Sequence, residues 1–586
     1  MVRSVVVTAL VAVVSVIALA YLLLFMPPVQ QRLCQKGEKA LSEYLNTEVN
    51  IGSVSITPFN QLELKDVLIH DQQGDSLLVV GKLGAGISLR DLILDSRIVV
   101  TYGEIIGLNG HVTRPDKSSP TNMQFIIDAF KPKDDQPPKP FDVKVKTVVV
   151  RQSSLTYDVL DQPRKLGQFD PNHLAVKNLR ADLSLPRLKN NDFDIRIKRL
   201  SFDEGSGFSL KRLSTNVHLT DNALDVKDIK VKLPNSDITL DDVHLEYSSL
   251  KNLGSEIKQM PLRLSTDGSK ITPADFAAFS PKLSQFNDPM HIAATVVRDG
   301  ARLEVPVLNV RSTEAGLSLN AHGSYLMPNE GGYQALDLDR IDLDASAPII
   351  KQILSLVPGV SPQVHDIVTR CGSVKLDGEF HSKTNHLTFN GNIGTSLGQL
   401  DLNGSLAKQA GASRFTGHVK TDGLQIGNLL AKNDLLNEVA IDAQVDAMIN
   451  GGNVSGHLQG HLPFVDFKGA RYHDITADVD KQGNAFMGNL SMNDPNGRVN
   501  VDGKALLDGA NSNYDLNISV DGLDLARMGV YGNYPNHRLS ANAAASFWGN
   551  SLDNATGHVE VTDFAFTDHD NGLKFKSLQL DADNNG

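Results

Sequence analysis

From about Glu48 onward the chain alternates apolar and polar residues with a period of two, in short runs punctuated by Gly, Asn, Asp and Pro. Successive side chains take opposite faces only in a strand, so this region reads as β-structure with one apolar face. Helical spacing is confined to brief windows at Met123 to Phe130, Thr272 to Phe279, Ile349 to Val357 and Leu424 to Leu430. In the second of these, Thr272 and Pro273 stand as N-cap and first helical residue. With no crossover helices a doubly wound parallel sheet is excluded. An extended, repetitive antiparallel sheet of roughly 35 to 45 strands is expected instead.

One eight-residue pattern returns: apolar, any, apolar, two mostly polar, apolar, any, apolar. It occupies 62–69 (LELKDVLI), 87–94 (ISLRDLIL), 224–231 (LDVKDIKV), 238–245 (ITLDDVHL) and 573–580 (LKFKSLQL), with looser copies at 174–181 and 208–215. On a helix these apolar positions share no face, and on a plain strand the two halves fall out of phase by one residue. One extra residue restores the phase, which predicts a bulge or tight bend at the Lys-Asp type pair and all four apolar side chains on one concave side. The expected lining is therefore Leu62, Leu64, Val67 and Ile69, then Leu224, Val226, Ile229 and Val231, then Ile238, Leu240, Val243 and Leu245. Thr239, Asp241 and His244 are expected to face solvent. From about Gly372 glycine enters the runs beside Asp or Asn, as at Gly378, Gly391 and Gly404, marking either hairpin turns or bulges with close backbone approach.

The N-terminus differs. Val5 to Met26 is apolar, with no charge between Arg3 and Arg32, and is long enough as a helix to cross about 30 Å of hydrocarbon. Val5, Leu10, Val14, Ile17, Leu22 and Phe25 mark this expected membrane anchor. A cleaved signal peptide ending near Ala18-Leu19-Ala20 is the competing reading, but the apolar run continues to Phe25. After Pro27 and Pro28, helical spacing from Val29 to Leu45 gives either a stalk leaving the bilayer or a core-packing helix. The segment 131–140 (KPKDDQPPKP) reads as a stiff linker. The expected organisation is an anchor (1–26), a stalk helix and first β module (27–130), the linker (131–140), a β-groove with short helices (141–371) and a glycine-rich β-repeat groove (372–586).

A net charge of -12 without a basic block argues against nucleic acid. Cys34 and Cys371 stand far apart, outside any metal or disulfide spacing. Gly394-Thr395-Ser396-Leu397-Gly398 fits a nucleophile-elbow pattern, but a strand rather than a helix follows it. His457 and His461 are about 13 Å apart along a strand, too far to share a metal. Asp568 to Gly572 lacks the ligand spacing of a calcium loop and reads as a polar hairpin tip, and Asp337, Asp339, Asp342 and Asp344 read as a solvated strand face. No catalytic residue, metal or cofactor is expected, and the chain is not read as an enzyme.

The succession of apolar anchor, PPVQQRL, NIGSVSI, LELKDVLIHDQQGDSLL and ISLRDLILDSRI, followed by ITPADFAAFSPKL and repeated strands, resembles the AsmA-like superfamily, within it the TamB family of translocation and assembly module subunits. The resemblance implies a U-shaped β-groove with an apolar lining, rooted in the inner membrane of a Gram-negative bacterium and extending through the periplasm. It implies phospholipids as cargo. The alternative it carries is a tether or assembly factor acting with a BamA-like outer-membrane barrel. The chain stops at LDADNNG directly after a strand, without a module to meet such a barrel, so it is expected to be an N-terminal portion truncated at its C-terminal end.

Overall fold

β-branched and leucine-rich runs broken by Gly, Asn and Asp give the chain strands almost throughout. The computed structural model describes residues 15, 26–56, 61–87, 100–129, 147–189, 192–250, 252–253, 257, 260–328, 334–356, 362–409, 411–450, 453–529, 537–551, 554–568 and 571–583. Among them are 29 strands. That is fewer than the expected 35 to 45, because individual strands are longer than their punctuation suggests, reaching 17 residues in the longest. The chain divides into two units, 1–300 and 301–586.

The first unit opens with helix α1 (Pro27–Leu45) and the strands β1 (Val49–Ile56), β2 (Gln61–His70), β3 (Ser76–Ile87) and β4 (Val100–Arg114), then the short helix α2 (Gln124–Ala129). There follow β5 (Thr147–Val159), β6 (His173–Lys189), β7 (Asp192–Glu204), β8 (Ser209–Leu219), β9 (Ala223–Lys232), β10 (Asp237–Leu240), β11 (Val243–Glu246), β12 (Leu262–Ile271) and β13 (Met290–Asp299). Neighbours pair antiparallel, except that β4 and β5 run parallel from Tyr102 beside Thr147 to Arg114 beside Val159. β9 pairs with β10 and then β11 along one edge.

Of the two readings of α1, the core-packing one holds. Cys34 and Leu45 are buried with Val49, Ile51, Val54, Val67 and Val80, and Leu41 packs against them. The Cys34 thiol donates to the Ile51 carbonyl at 3.0 Å, and the Ile51 N–H donates to Glu38 at 2.8 Å. The anchor positions Val5, Leu10, Val14, Ile17, Leu22 and Phe25, and the linker 131–140, lie outside the described residues. Among the described residues no helix is long and apolar enough to cross a membrane.

The second unit is a continuous meander: β14 (Arg302–Ser312), β15 (Leu317–Leu326), β16 (Ala335–Ala345), β17 (Val374–Lys383), β18 (His386–Thr395), β19 (Gly398–Gln409), β20 (Ala412–Leu424), β21 (Leu436–Asn450), β22 (Asn453–Phe467), β23 (Ala470–Gln482), β24 (Ala485–Asp494), β25 (Gly497–Leu506), β26 (Asn513–Asp524), β27 (His537–Trp548), β28 (Thr556–Asp568) and β29 (Asn571–Ala582). No pairing among the described residues joins β14 to β29, so the sheet is open. Between β16 and β17 lie α3 (Ala347–Leu356) and α4 (Pro362–Cys371), and after β20 lies α5 (Ile426–Leu430). The helical windows at 123–130, 349–357 and 424–430 thus correspond to α2, α3 and α5. The window at 272–279 is only a 3-10 turn, Pro273–Phe276, and α4 had no counterpart in the sequence reading.

The acidity is confined to one unit. Residues 301–586 carry 20 Lys and Arg against 33 Asp and Glu, whereas residues 1–300 carry 36 against 35.

Candidate functional site

In three copies of the eight-residue pattern, 62–69, 174–181 and 224–231, the fifth residue sets the geometry. The copy at 238–245 instead breaks between β10 and β11 at Asp241 and Asp242, the fifth residues Arg212 and Ser577 of 208–215 and 573–580 are not left-handed, and 88–94 lies outside the described residues. At Asp66, Asn178 and Asp228 the backbone turns left-handed, with φ of 50°, 54° and 54°. Asp and Asn tolerate that conformation better than other non-glycine residues. The two residues after apolar position three therefore both face away, and position six swings back to the apolar side. Across β1 and β2 the register stays constant through the step, because Gly52 opposite Asp66 takes the matching place. Copies that the sequence reading passed over share the rule: Gly107, Gln152, Gly268, Asp474, Gly522 and Asp563 are all left-handed at the fifth position of apolar-x-apolar-x-x-apolar-x-apolar windows with some small or hydroxyl members. A search for Asp, Asn or Gly at that position, rather than for the apolar residues, would have found most of them.

The sequence-derived lining residues fall on one face in each strand. Leu62, Leu64, Val67 and Ile69 all join the cluster under α1, where the helix covers them. Leu224, Val226, Ile229 and Val231 lie directly opposite Leu245, Val243, Leu240 and Ile238 and form a second cluster with Leu262. Thr239, Asp241 and His244 are exposed on the other side.

In the second unit two adjacent rows of the apolar face run through every strand, while the row beside them also holds Ser382 and Lys481. Leu308, Ala321, Ile341, Gly378, Gly391, Leu402, Val419, Ala443, Gly460, Ala477, Leu490, Val501, Ile518, Ala543, Val561 and Leu578 stand in one cross-strand line through β14 to β29. A parallel line runs Val305, Gly323, Leu338, Phe380, Phe389, Gly404, Gly417, Val445, Leu458, Val479, Gly488, Gly503, Leu516, Ala545, Val559 and Leu580. Neither contains a polar side chain. Most members are half-buried, Ala443, Ala477, Gly323 and Ala545 being the buried ones, and beside the lines Leu525 and Met528 pack over Ile475, Met492 and Val520 on the same face. Gly378, Gly391 and Gly404 sit inside strands rather than at turns. They bring backbones together: a Cβ on Gly391 would lie 2.6 Å from the Gly378 Cα.

Between the two lines, on the opposite face, runs Glu379, Asn390, Asn403, His418, Gln444, Gln459, Asp478, Asn489, Asp502 and Asn517. Charges here pair across strands. His418 Nε2 lies 2.6 Å from Asp442 Oδ1 and Lys420 Nζ 3.1 Å from Oδ2; the His418 and Lys420 hydrogen bonds hold the Asp442 carboxyl below the usual carboxylate range. A hollow of about 440 Å³ lies on this polar side, bordered by His381, Asn390, Asn403 and His418.

The residues weighed for catalysis and metal binding contact neighbouring groups of the sheet. Ser396 sits in the two-residue turn between β18 and β19, a strand-turn-strand context in which its hydroxyl meets Ser373 at 3.3 Å. His457 faces Asp480 at 3.2 Å and His461 faces Asp474 at 2.9 Å, each on its own carboxylate. Asp337, Asp339 and Asp344 contact His381, His322 and Lys375, and Asp342 accepts from Asn320. Asp568 pairs with Asn571 at the mouth of the β28–β29 hairpin, and residues 569 and 570 lie outside the described residues. Burial raises the Cys34 and Cys371 thiols above the ordinary range. Among the described residues no three His, Cys, Asp or Glu side chains are grouped to hold a metal. No family model, curated protein or solved structure matches this chain.

Proposed function

We propose that this chain is an inner-membrane-anchored, TamB-like periplasmic bridge that carries phospholipid acyl chains along the apolar face of its sheet toward the outer membrane. One observation carries the reading: two adjacent lines of apolar or glycine residues cross all sixteen strands of the second unit without a polar interruption. A tether has no need of such a path. A lipid conduit does, because each methylene that leaves water for this face recovers about 0.8 kcal/mol, and one charged rung would interrupt the recovery. Half-exposure of the lines suits passage, since a tightly closed site would hold its cargo. Small residues crowd this face, with Gly378, Gly391, Gly404, Gly417, Gly460, Gly488 and Gly503 all on it, as expected where strands curl inward around a trough. The polar face keeps the outer side wet.

Photocrosslinking residues placed in the full chain in cells at Leu402 and Val501 test this reading against Asn403 and Asp502, their neighbours on the polar face. Phospholipid adducts at the first pair and none at the second are expected. Equal capture at all four positions, or none at Leu402 and Val501 in a stable protein, overturns the conduit and leaves the tether.

A further inference from the structure

We propose that the β5–β6 loop, residues 160–172, is a docking finger that seats Leu160 and Leu166 among the acyl chains of an anionic phospholipid surface. Leu166 is 90% exposed and Leu160 66%, the two most exposed large hydrophobic side chains among the described residues. An unstructured loop would let them fold back, but this one is braced. Buried Asp170 accepts the backbone N–H groups of Lys165 and Asn172 at 3.0 Å each. His173 bridges Asp158 at 2.8 Å and the Gln162 carbonyl at 2.9 Å. The Phe169 N–H donates to Ala278 at 2.7 Å, and the Leu160 N–H to Arg114 at 2.9 Å. Bonds within the loop and to Arg114, Asp158, His173 and Ala278 fix its backbone, and its two leucines stay exposed.

The surroundings indicate which surface receives them. Arg164 and Lys165 immediately precede Leu166, both exposed, Arg164 also meeting buried Asp158 at 2.7 Å; exposed Asp161 follows Leu160, and Lys282 is exposed in the 3-10 turn Pro281–Gln285 that follows Phe279. Phe279, 51% exposed, is joined to the loop through Phe169, the ring centroids 5.0 Å apart. Projecting apolar tips, with Leu166 next to Arg164 and Lys165, match a headgroup layer, where the tips enter hydrocarbon and the cations meet phosphate. A protein partner would instead favour a flat, contiguous apolar patch. This docking stands apart from the conduit reading, since a tether would need a membrane contact equally.

The test uses the full chain reconstituted in vesicles of phosphatidylcholine mixed with phosphatidylglycerol brominated in its acyl chains. Tryptophan fluorescence is compared for Leu166→Trp and Lys227→Trp, against the background of the single native Trp548. Quenching beyond background is expected for Leu166→Trp alone, and Lys165→Glu added to it should lower the inserted fraction about fivefold. Position 166 is exposed, and circular dichroism checks that each variant folds. Equal quenching of the two variants overturns the finger, and so does crosslinking from position 166 in cells to protein without lipid. Quenching at 166 combined with no lipid capture at Val501 sustains the finger and removes only the conduit.

Discussion

Leu240 on β10 lies directly opposite Ile229 on β9, and both turn to the same apolar side, while Thr239 beside Leu240 is exposed on the other. Leu240→Arg should therefore place a charge among apolar neighbours and stop lipid supply to the outer membrane, whereas Thr239→Arg should be tolerated. Complementation of an outer-membrane defect, with immunoblots for abundance, separates the two. Failure of both at normal abundance would point to the polar face instead.

Gly488 and Gly503 carry the close approach of β24 to β25 and their neighbours. With φ of 147° and 141°, they stand where an added Cβ would lie 2.0 Å from the Asp478 oxygen and 2.1 Å from the Asp515 oxygen. Gly488→Ala should cost about 1–3 kcal/mol, as strained backbone sites do. Gly483→Ala meets no neighbour and should cost only the left-handed penalty, about 1–2 kcal/mol. Urea unfolding monitored at Trp548 measures both.

The left-handed step at Asp228 makes a different demand. Asp228→Asn keeps a residue suited to the conformation and should be close to neutral, whereas Asp228→Val should lose about 1–2 kcal/mol. Thermal unfolding of the three proteins side by side gives the ranking.

His244 hydrogen-bonds Asp225 at 2.7 Å, and this bond, followed by that to Glu246, raises its imidazole pKa above the ordinary value. The protonated ring therefore stabilises the fold fully below about pH 6.5, the unfolded value, and the contribution is lost as pH rises through the folded value. Asp442, held low by His418 and then Lys420, acts in the opposite sense: its contribution is present above about pH 4 and lost as pH falls through its depressed value. His244→Gln should narrow its stability gap to the parent on moving from mildly acid to alkaline buffer. Asp442→Asn should narrow its own gap on moving from neutral to strongly acid buffer. Melting temperatures across pH report both.

Deleting Met1 to Met26 behind a cleavable secretion signal should give a soluble periplasmic protein that no longer rescues function. Fractionation reads this directly, and a native chain recovered soluble after processing near Ala20 would contradict the proposed anchor.

Much of the strand pattern was legible because alternation is written locally, residue by residue. The step at the Lys-Asp pair of 62–69 and 224–231 could be inferred because four apolar residues out of phase admit few solutions. What escaped depended on partners distant in sequence. Whether α1 packs or projects is decided by Ile51 and Glu38 together, and neither residue alone announces it. The two apolar lines were equally hidden: Ala443 means little until its register sets it between Val419 and Gly460. Glycines such as Gly378 were ambiguous because the same Asp-Gly pair serves a turn and a mid-strand contact.

Each apolar line asks only one suitable residue of every strand, and in the second unit every strand returns antiparallel to the last. Excising β24 and β25 as a pair would preserve chain direction and bring β23 beside β26, with Ala477 facing Ile518 and Val479 facing Leu516 in place of Leu490 and Gly488. Hairpin gain or loss thus lengthens or shortens the sheet without opening a polar gap, so its span is a quantity that genetic drift can adjust in two-strand increments.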